Sequence, residues 1–258
     1  MSRFDGKSVL ITGGSGGMGR ATAQAFLQEG ARVLLADIDE ARLADVTSEL
    51  STFGSVSGFR TDVTKPDQCK RAVEAAVERH GRLDILVNGA GVWVEGPAET
   101  VTEAEWDRTV DINLKGTFFC CRHAIPHLVE TRGAIVNIIS DAGLMGYANT
   151  SVYCASKGGV TLLTRSLGLE LAPKGVRVNG VCPCDVDTPM IEFQAQTYGG
   201  GDPEGYKRKL LGLYPQGERA RFVTADEIAA FVLFLCSDAA APITAACLPI
   251  DFGLTAGR

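Results

Sequence analysis

The chain has 258 residues and a formal net charge of −6, with 45% apolar and 22% charged side chains. A chain of this length buries a sizeable core without staples, and its acidic balance excludes the basic patch that nucleic-acid binding needs and the polybasic anchor that an anionic membrane needs. No apolar run reaches the roughly eighteen residues that span a bilayer. The opening Met-Ser-Arg-Phe-Asp-Gly-Lys has no signal-peptide apolar region, so a cytoplasmic protein with no membrane and no nucleic-acid partner is expected.

In chain order, Ser8–Thr12 predicts a first strand. It runs into Thr12-Gly13-Gly14-Ser15-Gly16-Gly17-Met18-Gly19 and then a helix through Phe26 and Leu27. Glycines permit a tight turn and close backbone approach to a phosphate. The helix start offers free N–H groups and a partial positive charge to a pyrophosphate. The stretch sits between strand and helix, where a dinucleotide site needs it.

Arg32–Asp37 predicts the second strand, and Asp37 closes it 18 residues after Gly19. A carboxylate there accepts both ribose hydroxyls of an adenosine and repels a 2′-phosphate. Neither Ser15 nor Ile38 supplies a cation to neutralise one, so NAD is expected over NADP. The alternative is that Asp37 caps the following turn.

Further strands are predicted at Ser55–Arg60, Leu83–Asn88, Ala134–Ser140, Arg177–Val181 and Cys247–Ile250. Helices are predicted at Pro66–His80, with Val73, Ala76 and Val77 on one face, at a stretch ending over Ala124–Val129, and at Val152–Leu171. Apolar strands without alternation are expected where both sheet faces are covered. Strand and helix in steady alternation predict an α/β fold: one Rossmann-type, doubly wound parallel sheet of about seven strands with helices on both faces. No linker divides residues 1–258, so a single domain is expected. Residues 189–218, with Gly199-Gly200-Gly201, read as a mobile excursion that covers the substrate.

The 8 cysteines do not form the framework of a short secreted chain; most lie in apolar runs, as small hydrophobes. Cys182-Pro-Cys184 is too tightly spaced for a closed zinc site. His123 and His127 stand at helical i,i+4 spacing but lack the glutamate of an H-E-x-x-H pair, and they read as an ordinary helix face. No metal is expected.

Tyr153 and Lys157, four apart on a predicted helix, project from one face. A tyrosine has a reference pKa of about 10. A neighbouring ammonium favours the phenolate, so the pair is a candidate acid/base unit. Ser140 closes the fifth predicted strand 13 residues earlier, where its hydroxyl can hold a substrate oxygen beside the phenol. Asn113 lies in Asp111-Ile-Asn-Leu-Lys115, early in another helix.

Taken in order, Thr12-Gly13-x-x-x-Gly17-x-Gly19, Asp62-Val63, Asn88-x-Ala90-Gly91, Asn113, Ser140, Tyr153-x-x-x-Lys157, Asn179, Pro183 and Thr188 resemble the classical short-chain dehydrogenase/reductase family over essentially the whole chain. The resemblance implies that Ser140 positions the substrate, Tyr153 transfers the proton, Lys157 tunes Tyr153 and binds nicotinamide ribose, and Asn113 helps hold a relay water. It implies Asp62 and Val63 beside the adenine, Asn88, Ala90 and Gly91 on the adenosine side, and Val186 and Thr188 at the carboxamide. It also implies a homotetramer.

The chain departs from the family pattern at Gly89, usually Asn; at Cys184, usually Gly after Pro183; at Ile139, often Ser; and at Thr244-Ala245 and Asp251-Phe252-Gly253, usually Thr-Gly and Asp-Gly-Gly. Cys184 is expected beside the nicotinamide, where its side chain either reshapes the pocket or is neutral. A redox thiol there needs a lowered pKa, which neighbouring Asp185 opposes.

Trp93, Glu95, Leu144, Met145 and Tyr147 are candidate pocket residues. From the covering segment come Met190, Ile191, Phe193, Tyr198 and Tyr206, and each of these is equally compatible with plain packing. The expected partner is a small alcohol or ketone, such as a sugar, polyol or diol. The alternatives are a 3-oxoacyl or steroid-type ketone, or a nucleotide-binding module that has lost catalysis. The intact Asn113, Ser140, Tyr153 and Lys157 oppose the last.

Overall fold

A computed structural model describes residues 2–257. In chain order the elements are β1 (Ser8–Thr12), α1 (Gly17–Gln28), β2 (Arg32–Asp37), α2 (Glu40–Leu50), β3 (Val56–Arg60), α3 (Pro66–His80), β4 (Ile85–Asn88), α4 (Glu103–Val110), α5 (Thr117–Thr131), β5 (Ala134–Ile138), α6 (Ser151–Leu171), β6 (Arg177–Pro183), β7 (Val186–Asp187), α7 (Pro189–Tyr198), α8 (Pro203–Leu211), β8 (Val223–Thr224), α9 (Ala225–Cys236) and β9 (Cys247–Ile250).

Seven strands form one parallel sheet in the order β3-β2-β1-β4-β5-β6-β9. Every residue of β1, β4 and β5 is buried, because helices cover both faces. The strand period of two still sorts the side chains. Val9 and Ile11 enter one core with Phe26, Val232 and Leu235. Leu10 enters the other with Val73, Leu86, Leu128 and Leu171. Leu10 is fully buried, and its truncation to alanine costs about 2–5 kcal/mol.

The strand order reverses between β1 and β4. At that point the loops after the two strands diverge and leave a crevice at the carboxyl edge of the sheet, the usual ligand position in this architecture. Gly13, Ala90 and Ser140 all follow carboxyl ends of strands and so border it.

Three differences from the sequence expectation bear on the site. β5 stops at Ile138, where pairing with Val181 ends; Ser140 instead leads a tight turn over Asp141–Gly143 and accepts a hydrogen bond from Ala142 N at 3.2 Å. Asn113 lies not in regular helix but in a π-helical turn, Asp111–Gly116, joining α4 to α5. The stretch 189–218 is no open loop: it forms α7 and α8, each opened by a proline in its first turn, with Asp202 capping α8 through Gly205 N at 2.8 Å.

Candidate active site

α6 brings Tyr153 and Lys157 to one face, and both are buried. Tyr153 and Ser140 line the same cavity. Lys157 Nζ donates to the Ile138 carbonyl at 2.8 Å and lies 5.8 Å from the centre of the Tyr153 ring. Trp93 packs against that ring at 4.3 Å between centroids. Burial holds the Tyr153 pKa above its ordinary value, only partly opposed by the Ser140 hydroxyl, and the charges of Asp141 and Asp185 push the same way as burial. Burial also lowers Lys157 to about 8. The expectation of a depressed phenol is therefore not met in the protein alone, where burial is the largest cause of the shift.

The π-helical turn aims Asn113 inward. Its Nδ2 donates to the Val92 carbonyl and to Ser156 Oγ, each at 3.0 Å, and its Oδ1 accepts from Val92 N at 2.8 Å. Both amide hydrogens are thus used to tie the loop after β4 to α6, which leaves the side chain no donor for a relay water. Such π-turns interrupt helices most often at functional positions.

Ser140 Oγ donates to Asp141 Oδ1 at 2.7 Å, and Tyr147 OH donates to Asp141 Oδ2 at 2.6 Å. Asp141 was not singled out from the sequence, although it directly follows Ser140. Its carboxyl is raised by burial against the lowering effect of these donors.

A cavity of about 330 Å³ opens over Tyr153 and Ser140. Trp93, Glu95, Tyr147, Cys184, Met190, Ile191 and Tyr206 line it as expected; Leu144 does not, and its side chain is exposed. Met145, Phe193 and Tyr198 also lie off the wall; Phe193 packs edge-on against Tyr198 instead. Tyr206 OH donates to Glu95 Oε2 at 2.8 Å, fastening α8 to the loop after β4. Asp185 also lines the cavity, with Tyr214 bonded behind it, and neither carries a periodic signal in the sequence. Burial pushes the Cys184 thiol up to about 12, the opposite of the lowered value a redox thiol needs. Cys184 also lacks positive φ, so its backbone does not require the family's glycine.

The nucleotide end is built by close backbone approaches. Gly13 has φ +66°, and a Cβ there would lie 2.7 Å from Ala90 N; one on Gly17 would lie 2.7 Å from Thr188 Cγ2. Thr12 Oγ1 accepts from Gly89 N and Ala90 N at 3.2 and 3.3 Å. A Cβ at Gly89 would stand 2.9 Å from the Thr12 carbonyl, so the bare backbone fits here. No side chain caps α1, so the N–H groups of its first turn, with Met18 and Gly19, are available to a pyrophosphate. These features fit a dinucleotide.

Asp37 Oδ2 accepts from Ser15 N at 3.1 Å, and its Oδ1 from Asp39 N at 3.2 Å. It therefore does cap its turn and also steadies the glycine loop. Ile38 beside it is exposed. Asp62 Oδ1 accepts from Thr64, and Val63 packs under Gly116. Asn88 departs from expectation: its Nδ2 donates to Asn137 Oδ1 at 2.8 Å inside the sheet, so its side chain is committed to the interior, not to the adenosine side. Ala90 and Gly91 remain at the crevice, with Gly91 next to Asn113 Oδ1 and Lys157 Nζ.

A dinucleotide crevice beside a buried Ser-Tyr-Lys set defines an α/β oxidoreductase. The short chain dehydrogenase family model matches residues 7–199, and the chain belongs to that family. It is 37% identical over 254 residues to the 3-oxoacyl-(acyl-carrier-protein) reductase FabG of Thermotoga maritima, covering 98% of this chain and 99% of that protein. It is also 37% identical over 254 residues to the meso-2,3-butanediol dehydrogenase of Serratia marcescens, covering 98% and 96%. The crystal structure of levodione reductase superposes with a TM-score of 0.95 at 36% identity, covering 99% of this chain and 100% of that one. The chain is thus an oxidoreductase of alcohols and ketones that works with a nicotinamide cofactor. Among the described residues no helix is long and apolar enough to cross a membrane.

Proposed function

We propose that the chain is an NAD-dependent enzyme that interconverts a secondary alcohol and a ketone on a small polar or cyclic substrate such as a diol, polyol or sugar. The observation that carries this reading is that Ser140 and Tyr153 share one cavity wall, with Lys157 Nζ 5.8 Å from the centre of the phenol ring.

The cofactor, when bound, supplies hydride exchange at its nicotinamide ring. Gly13, Ser15, Gly17, Met18 and Gly19 would hold its pyrophosphate, and Asp37 and Ile38 its adenosine ribose. Asp62, Val63, Ala90 and Gly91 would flank the adenine side, and Pro183, Val186 and Thr188 the nicotinamide. Two hydrogens of Lys157 Nζ remain after the Ile138 bond, enough for a ribose diol. Ser140 and Tyr153 orient one carbinol oxygen. A neutral phenol donates its proton to a ketone oxygen; the phenolate takes one from an alcohol. Trp93 covers the ring and limits water.

The equal likeness to a 3-oxoacyl reductase and a butanediol dehydrogenase does not choose the substrate. The cavity wall does favour one: Glu95 and Asp141 on it oppose an anionic ligand. We further infer one catalytic domain over the whole chain, assembled as a homotetramer in the cytoplasm. Exposed Phe118, Leu162 and Leu169 on α5 and α6 support the assembly.

The test is a screen of secondary alcohols with NAD and with NADP, repeated on Tyr153→Phe. Turnover is expected with NAD and nearly lost in the variant, while cofactor still quenches its tryptophan fluorescence. A variant as fast as the parent would remove Tyr153 from the chemistry.

A further inference from the structure

Asp185 follows Pro183-Cys184 at the end of β6 and lines the cavity that holds Tyr153. Its Oδ2 accepts from the Tyr214 hydroxyl at 2.8 Å, and its backbone N–H donates to the same hydroxyl at 3.1 Å. Tyr214 is buried, and its ring meets Phe252 edge-on at 6.4 Å. The carboxylate is therefore held in one orientation from behind. Among the described residues no other side chain donates to its Oδ1, and that oxygen is not a sealed orphan. The cavity it faces is apolar over much of its wall, with Met190, Ile191, Leu210 and Leu254 among its lining.

A carboxylate facing an apolar cavity is costly until something donates to it. Burial pushes Asp185 up to about 6, yet leaves it mostly ionised at neutral pH. Asp185 and Tyr153 line the same cavity, so a substrate bonded to that phenol faces Asp185 across one enclosed space. Resting on the assignment of Tyr153 as the proton-transfer group, we propose that Asp185 determines specificity by accepting a hydrogen bond from a second hydroxyl, on the carbon next to the reacting carbinol, so that the substrates are vicinal diols and polyols.

A neutral hydroxyl fits better than an ammonium. One acceptor oxygen satisfies one donor, whereas an ammonium brings three into an apolar wall. Asp141 is already filled by Ser140, Tyr147 and Ala142, and Lys209 lines the same cavity.

The experiment compares kcat/KM of the unmodified enzyme for 2,3-butanediol, 2-butanol, 3-methoxy-2-butanol and 3-amino-2-butanol. The diol is expected to exceed 2-butanol and the methyl ether by about tenfold or more, since a site that binds a hydroxyl rejects analogues lacking the donor. In Asp185→Ala the diol-to-2-butanol ratio should fall toward unity, and in Asp185→Asn, which keeps an amide oxygen as acceptor, it should fall less, with cofactor quenching of fluorescence retained as a check on folding. Equal use of diol and methyl ether by the unmodified enzyme overturns the proposal whatever the variants do, and so does a preference for the amino alcohol. Failure to oxidise any of the four with either cofactor overturns it together with the assigned reaction. Turnover without a diol preference overturns the Asp185 role alone.

Discussion

Lys157 stands one helical turn beyond Tyr153, yet its ammonium donates to the Ile138 carbonyl while lying 5.8 Å from the phenol ring centre. The lysine is thus anchored to the end of β5, and the two groups are linked by position more than by direct bonding. Its pKa falls from 10.5 to about 8 because burial penalises the charged form. The folded state therefore binds fewer protons than the unfolded chain between those two values, and stability rises with pH across that window. The cost of the buried ammonium is fully present below pH 8 and is on the order of 3 kcal/mol. Lys157→Met lacks it. Denaturant unfolding at about pH 7 and about pH 10 should show the parent gaining on the variant as pH rises. A gap that is constant over that range would mean that the lysine binds its proton alike in the folded and unfolded states, so that burial does not depress it.

Asp141 places a second charge near the phenol. Its negative charge is among the causes that raise Tyr153, and it holds the Ser140 hydrogen at 2.7 Å. Asp141→Asn keeps an acceptor for Ser140 and removes the charge. The ascending limb of kcat/KM for alcohol oxidation should then move toward acid, because the phenolate forms more easily, with the plateau changed by less than about tenfold. Asp141→Ala removes the acceptor as well; Ser140 is left free to rotate, and activity should drop by about a hundredfold. An unmoved limb in Asp141→Asn would show that its charge does not reach the proton-transfer step.

Strands such as β1 and β5 were legible because both sheet faces are covered and the apolar run has no gaps. Tyr153 and Lys157 were legible because helical spacing alone puts them on one face. The Asp185–Tyr214 bond was not, since it joins residues 29 apart through loop packing. The end of β5 is not legible because Ile139 continues the apolar run while the pairing stops at Ile138. For residues 189–218 the triple glycine outweighed the better signal, which was Pro189 and Pro203 in the first turns of α7 and α8 with Asp202 as a cap. The direction of the Tyr153 shift was misjudged because burial is a tertiary fact that no spacing reveals.

Ala245 stands where the family pattern has glycine, and its φ is +59°. A left-handed backbone costs a residue with a Cβ about 1 kcal/mol. Ala245→Gly should relieve that and raise the melting temperature by about 2 °C. Gly168 faces the same backbone, and a Cβ on it would lie 2.7 Å from Ala245 N-flanking atoms, its Cα included. Gly168→Ala should therefore lower the melting temperature, as α6 is pushed from this loop. Calorimetry on both variants checks the pair; a fall for Ala245→Gly would mean that the alanine methyl contributes more by packing than its backbone loses.

Asp37 serves two roles that substitution can separate. Its Oδ2 holds Ser15 N at 3.1 Å, which shapes the glycine loop, and its charge opposes a 2′-phosphate. Asp37→Asn keeps an acceptor for Ser15 and removes the charge. Arg60 is the register partner of Asp37 on β3, so a cation stands one strand away once the carboxylate is neutral. The ratio of NADP to NAD in kcat/KM should rise by about tenfold or more, chiefly because NAD loses charge-assisted hydrogen bonds to its ribose. Asp37→Ala, which also frees the loop, should weaken both cofactors. If Asp37→Asn leaves the ratio unchanged, the carboxylate acts through the loop alone, and the preference for NAD has to come from another residue.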